Sequence, residues 1–366
     1  ELHIVKMENQ VYQMFGVEVH KALIWSVISS IVLLSACVGK NENNTISQQF
    51  SGETQGTTYS IILSDSGESI TQVEIDSLLH EFDLSLSTYI DHSVISKLNA
   101  SKGTFLVSDH THFFKDCYEI SQYIYKLTNG EFDPSVFPLV KAWGFMNNMK
   151  SPLDQKSVDS LLKFVSFSEG VHHNMQFSGD KIHLNKIHDN FKLDFNAVAQ
   201  GQSVDVVCEY IESKGYHDFY VEIGGELRTS GVNREALPWK VGIDSPQEAL
   251  KERVLDNILN LTNNAVATSG NYRKFYEIDG VKYSHTLSPK TGYPVRHSLL
   301  SATVIARTCA EADAYATAFM VMGLENSLTF VQNNPAEELE VYLLYSDDNG
   351  EIVRAMSNGF KAYCAY

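Results

Sequence analysis

The sequence predicts an α+β fold with a large, mostly antiparallel or mixed sheet packed with helices, and three observations carry that reading. Apolar residues recur at helical spacing in a few well-separated segments. Short alternating strands crowd into the second half of the chain. The two kinds of element interleave without the strict strand–helix–strand rhythm of a parallel sheet. With 366 residues, 43% of them hydrophobic and 20% charged, there is ample material for a core.

In chain order, "TTYSIIL" (57–63) alternates as a first strand should. "ITQVEIDSLLHEFDLSLSTY" (70–89) sets Val73, Ile75, Leu78, Leu79 and Phe82 at helical spacing. A second helix over 110–130 is stopped by Asn129-Gly130. Residues 150–192 are polar and irregular apart from a hairpin around "MQFSGDKIHL". A third helix spans 196–215, with Asn196 a suitable cap and Gly215 a stop. Short strands follow in "FYVEIGG", "ELRTSG", "WKVGID", "NAVATSG", "KFYEIDG", "KYSHTL" and "LLSATVIA". A last helix (309–322) precedes the hairpin "VYLLYSDDNGEIVRAMS", whose turn is Asp348-Asn349-Gly350.

The formal net charge of −17 argues against a nucleic-acid partner, since phosphate contacts need clusters of lysine and arginine. Five cysteines show neither a C-x-x-C pair nor metal-like spacing. The apolar run from Ala22 to Ala36 follows Lys21 and ends at Cys37. It is shorter than the ~20 residues of a membrane span and suits an export signal. "LSAC" at its end is similar to a bacterial lipobox, so residues 1–36 are read as a lipoprotein signal peptide with Cys37 lipidated. Residues 37–50 then form a polar tether, and 51–366 the globular domain. Because the sequence opens on Glu1, Met7 or Met14 is expected to start translation.

Four segments could carry chemistry. In "TCAEADAYATAFMVMG" (308–323), Thr308 and Glu311 have capping-box spacing. Asp313 lies beyond that cap among alanines, with Thr317 one turn along the same face. Either the pair holds a hard cation such as Mg²⁺, or Asp313 simply faces the helix dipole. In "KLDFNAVAQGQSVD" (192–205), Asp194 precedes a helix and Gly201 sits inside it, where a glycine signals close backbone packing or ligand approach. A capped helix is the plainer account. In "EIGGELRTSG" (222–231), Gly224-Gly225 fits a bulge beside a ligand or a plain sheet corner. In "FDPSVFPLVKAWGF" (132–145), prolines stiffen the turn that carries Asp133, and the aromatics alone would read as core. His285 in "YSHTLSPKTGYPV" (283–295) precedes a tight turn, and on spacing alone it reads equally as a structural strand histidine.

Taken together and in order, these segments resemble the ApbE family, the FAD:protein FMN transferases. The motifs run "TQGTTY", "LSTY", "EFDPSVFPLVKAWGF", "LDFNAVAQGQSVD", "VEIGGELRTSG", "ATSGNYRKFYEIDGVKYSHTLSPKTGYPV" and "SATVIARTCAEADAYATAFMVMG", across roughly residues 50 to 364. The resemblance implies an ApbE-like, T-fold-like architecture in an exported lipoprotein facing the periplasm. It implies Mg²⁺-dependent transfer of FMN from FAD to a threonine of an acceptor protein, a subunit of a membrane redox complex, with release of AMP. It also implies roles. Asp313, Thr317 and the Ala197 carbonyl correspond to magnesium ligands. Gln55, Tyr89, Glu131, Phe132, Asp133, Asp194, Gln200 and Ser284 correspond to FAD contacts, and His285 to the base. Three positions depart from the family: Gln200 stands for lysine or glutamate, Asn196 for glycine or serine, and Ser288 for the aspartate of "H-x-x-D-P-x-T-G". An FAD pyrophosphatase with the same site, or a flavin-binding lipoprotein without catalysis, are the rival readings.

Overall fold

The computed structural model describes residues 48–145, 152–246, 254–271, 275–278 and 281–365. The expected signal peptide, Cys37 and most of the tether lie outside the described residues. In chain order the strands are β1 (Gln48–Thr54), β2 (Thr57–Leu63), β3 (Thr104–Ser108), β4 (His173–Ser178), β5 (Lys181–Lys186), β6 (Phe219–Ile223), β7 (Glu226–Ser230) and β8 (Trp239–Asp244). They continue with β9 (Leu255–Leu261), β10 (Ala265–Gly270), β11 (Phe275–Ile278), β12 (Val281–Ser284), β13 (Leu299–Ala306), β14 (Glu340–Ser346) and β15 (Ile352–Met356). The helices are α1 (Gln72–Leu86), α2 (Val94–Ala100), α3 (Phe113–Leu127), α4 (Phe137–Ala142), α5 (Gln155–Leu162), α6 (Ala199–Ser213), α7 (Cys309–Met322) and α8 (Leu324–Asn333).

Eight strands form one sheet in the order β1-β2-β6-β7-β10-β13-β14-β15. Every pairing in it is antiparallel, as the alternating segments predicted. The alternation of side chains separates two cores. On one face Val304 and Ala267 join the alanine-rich α7, while on the other Ile305 and Val266 pack against Val241 and Leu259 of the β8–β9 hairpin. A three-stranded sheet, β3-β5-β4, stands apart.

The helix ends follow their caps. Thr71 with Glu74 and Thr308 with Glu311 form complete capping boxes at the starts of α1 and α7. Other expectations need correction. β1 begins at Gln48, inside the segment read as tether, and is the true first strand. Val73 is 72% exposed, because the buried face of α1 is formed by Ile75, Leu79, Phe82 and Leu86. Asn196 does not cap α6; Val198 occupies that position without a side-chain bond. Gly224-Gly225 is a two-residue hairpin turn joining β6 to β7, both glycines having positive φ. Helices α2, α5 and α8 and strands β3 and β9 were not expected at all. They are short or weakly periodic, and tertiary packing decides them.

Helices α6 and α7 are antiparallel neighbours, with Gly201 opposite Asp313 and Asp205 opposite Cys309. Each helix supplies a carboxylate to the amides at the start of the other. Asp205 accepts from Cys309 N (3.0 Å) and Ala310 N (2.9 Å), and Asp313 Oδ2 accepts from Gly201 N (3.0 Å). Arg228 of β7 pairs with Asp205 at 3.1 Å and ties the helix pair to the sheet. This approach requires glycine: a Cβ at position 201 would stand 2.2 Å from the Cys309 carbonyl oxygen and 2.8 Å from Asp313 Cβ. Gly201→Ala is therefore expected to destabilise the protein by about 3 kcal/mol or more, through overpacking against main chain that cannot yield. An unchanged urea midpoint for this variant would show that the two helices slide apart freely.

Candidate active site

A cleft of about 930 Å³ opens beside the helix pair. Asp313, Thr317 and Val321 line it from α7, a single stripe at four-residue spacing. Ala197 and Gln200 enter from the turn and first residues of α6, and His285 from the segment just after β12. The opposite rim holds Tyr89, 69% exposed at the mouth, and the run Glu131, Phe132 and Asp133. Gln55 and Asp194 complete the set, so eleven of the twelve residues expected in or beside the site line one cleft.

Ser284 is the exception. It is buried, its hydroxyl donates to the Thr286 carbonyl at 3.3 Å, and it does not line the cleft. Ser284 is the last residue of β12, and the lining begins just beyond it with His285, Thr286 and Leu287.

Local chemistry fixes each of these groups. Gln55 has a left-handed backbone (φ 53°) in the turn between β1 and β2, and its Nε2 is buried without a partner. Gln200 lies where a Cβ on Gly224 would meet its Nε2 at 2.1 Å, so the hairpin glycine makes room for that amide. Asp133 caps a short turn through Ser135 N (2.8 Å), and burial lifts its carboxyl to about 6. Asp194 accepts from Asn196 N at 2.8 Å and is likewise lifted to about 6 by burial. Glu131 pairs with Lys290 at 2.7 Å, joining two cleft walls. Thr317 Oγ1 lies 3.2 Å from Ser269 Oγ.

The turn after His285 is held from several sides. Ser288 donates its N–H to Tyr293 O (2.9 Å), accepts from Gly292 N at its carbonyl (2.8 Å), and accepts from Thr291 N at its hydroxyl (3.3 Å). Trp143 Nε1 donates to Gly292 O at 2.8 Å. A serine thus performs the turn-making work that an aspartate would otherwise do here.

Seven carboxylates line the cleft: Asp83, Glu131, Asp133, Asp194, Glu226, Asp244 and Asp313. No lysine or arginine does so among the described residues. Asp83, Glu226 and Asp244 were missed by sequence reasoning, because an acid on a helix or strand reads as a solvated residue until the fold places it. Among the described residues no group of three or more His, Cys, Asp or Glu side chains is arranged to hold a metal. The oxygen donors Asp313, Thr317 and the Ala197 carbonyl fit a hard cation, which takes few protein ligands and completes its shell with water and phosphate.

The architecture is that of flavin transferases. It matches flavin transferase ApbE from Vibrio cholerae with a TM-score of 0.74 and 31% identity, covering 87% of this chain and 99% of that one. The apo flavinyl transferase ApbE of Pseudomonas stutzeri matches with a TM-score of 0.75 and 28% identity, covering 87% of this chain and 96% of that one. In sequence, the FAD:protein FMN transferase of Vibrio cholerae serotype O1 is 34% identical over 349 residues, covering 93% of this chain and 98% of the relative. That of Haemophilus influenzae is 32% identical over 346 residues, with the same coverage. The ApbE family model matches residues 55–343, and the chain belongs to the ApbE family.

Burial raises the Asp313 carboxyl from its ordinary 3.8 to about 7, against the pull of the Gly201 amide. Between those values the folded chain keeps a proton that the unfolded chain releases, so this group's contribution falls as pH rises. Asp313→Asn, measured in EDTA, is expected to be more stable than the parent by roughly 1–4 kcal/mol at pH 8. That gap should close only below about pH 3, where the Asp313 carboxyl is protonated in the unfolded chain as well. A gap independent of pH would contradict a desolvated carboxylate at this position.

Proposed function

We propose that this protein transfers FMN from FAD to a threonine hydroxyl of an acceptor protein and releases AMP, with Mg²⁺ held at Asp313, Thr317 and the Ala197 carbonyl. The observation that carries this reading is a single cleft that brings those three oxygen donors together with His285 and Asp194. The relatives named FAD:protein FMN transferase, similar over nearly the whole chain, support the transfer itself. Bound there, Mg²⁺ would supply positive charge at the pyrophosphate, which no lysine or arginine of the lining provides among the described residues.

The protein's own residues have three tasks. They hold the two halves of FAD: Gln55 offers an unspent amide donor, and Asp133 and Asp194 offer carboxylates fixed by main-chain bonds. They orient the phosphorus for in-line attack, which is most of what phosphoryl transfer asks of a protein. They also move one proton. The acceptor hydroxyl oxygen forms a bond to the FMN-side phosphorus, its proton passes to the His285 imidazole, and the phosphorus–oxygen bond to AMP breaks. The rigid turn at Ser288–Gly292 keeps that imidazole aimed into the cleft.

Water in place of the acceptor hydroxyl would give free FMN and AMP from the same site. Incubating residues 38–366 with FAD, Mg²⁺ and candidate redox subunits separates the two: covalently fluorescent acceptor supports transfer, while free FMN alone supports hydrolysis. Absence of AMP under both conditions would leave a flavin-binding protein without catalysis. The "LSAC" motif supports lipidation at Cys37, export to the periplasmic side and a membrane-bound acceptor. Cys37→Ser is expected to release the protein from the membrane fraction.

Asp313→Ala, or EDTA added to the parent, is expected to lower FMN transfer by a factor on the order of 10³ or more. Transfer that survives EDTA would sink the metal assignment. His285→Ala is expected to slow transfer by about 10²–10⁴-fold while FAD affinity stays within roughly threefold. Turnover equal to the parent would remove His285 as the base.

A further inference from the structure

Helix α2 has only seven residues, too few to persist alone, and both of its ends are fastened to the cleft. At its start the Ser93 hydroxyl accepts from Ser96 N (3.1 Å) and donates to Ser87 O (2.7 Å). Ser96 Oγ adds a second bond to the same carbonyl at 3.3 Å. Ser87 and Tyr89 both line the cleft. At the far end of α2 stands Asn99, buried and outside that lining.

The Asn99 side chain takes up both main-chain groups of Leu193. Its Nδ2 donates to Leu193 O at 2.7 Å, and its Oδ1 accepts from Leu193 N at 2.8 Å. That is the pairing a neighbouring strand would provide, yet Leu193 and Asp194 lie in no strand or helix. The next residue, Asp194, donates its N–H to Pro134 O at 2.8 Å. Leu193-Asp194 is therefore clamped between Asn99 on one side and the Asp133-Pro134 turn on the other. Lys186 Nζ steadies the clamp by donating to Asn99 O (3.4 Å) and Ser101 O (3.0 Å).

We propose that Asn99 is a positioning residue for FAD binding, which sets through Leu193 where Asp194 stands in the cleft. Only an asparagine side chain supplies a donor and an acceptor at this length. Alanine would leave two buried main-chain groups of Leu193 unpaired, and aspartate would set a charge against the Leu193 carbonyl. The proposal rests on the reading of Asp194 as an FAD contact.

The test is a double-mutant cycle read by FAD affinity, using quenching of flavin fluorescence with Mg²⁺ present and no acceptor. A residue acting through Asp194 loses its effect once that carboxylate is gone, whereas general loosening of the fold does not. Asn99→Ala is expected to weaken FAD binding about five- to tenfold in the parent and less than about twofold in an Asp194→Asn background. An equal factor in both backgrounds, or no change in the parent, overturns the proposal. If Asp194→Asn alone leaves FAD affinity untouched, the contact reading of Asp194 fails and this proposal falls with it. Should Asn99→Ala not fold, Asn99→Asp, nearly equal in volume, takes its place under the same criterion.

Discussion

The close approach of α6 and α7 is the constraint on which the other distances depend. A methyl group at position 201 would collide with the main chain at Cys309, so the helices meet backbone to backbone at that point. Across the contact Asp205 and Asp313 each satisfy amides at the start of the opposite helix. The exchange is reciprocal, but its two halves have different fates. Asp205 is neutralised from behind by Arg228, and two amides and that guanidinium oppose the burial that lifts its carboxyl to about 6. Among the described residues Asp313 has one amide and no cation as partner, and it lines the cleft. The same packing that stabilises the fold therefore leaves one carboxylate in need of positive charge.

That need is repeated around the cleft. Burial raises Asp133 and Asp194 as it raises Asp313, and seven carboxylates share the lining with no lysine or arginine among the described residues. A protein that keeps such carboxylates together carries an electrostatic cost that neutralisation would relieve. Protonation and a bound cation are the two ways to supply that neutralisation, and the raised carboxyl values show how readily the first occurs near neutral pH.

Much of this was legible in the sequence, though unevenly. The antiparallel sheet, the alanine-rich helix and its capping box could be read from alternation, spacing and T-x-x-E. Asp313 stood out because an acid among alanines lacks an obvious partner. Gly201 suggested close packing, and the structure shows what it packs against. Other features had no local signal. Asp83, Glu226 and Asp244 look like ordinary surface acids until the fold turns them inward. Asn99 sits in a short helix without strong periodicity, and its partner Leu193 is 94 residues away. Ser284, which the resemblance implies as an FAD contact, lies just outside the lining that begins at His285. Ser288 shows the reverse: a departure from the family pattern that costs the turn nothing, because a hydroxyl accepts the same amide.

The bonds that assemble the cleft span long stretches of chain: 112 residues from Gly201 to Asp313, 149 from Trp143 to Gly292 and 159 from Glu131 to Lys290. Two of these three bonds join the first half of the polypeptide to the second. Closing loops of that size comes late and slowly in folding, since their entropy must be overcome before the contacts compensate for it. A nascent molecule still short of residues 290–292 lacks the partners of Glu131 and Trp143, so these two ties form only after that stretch has been added.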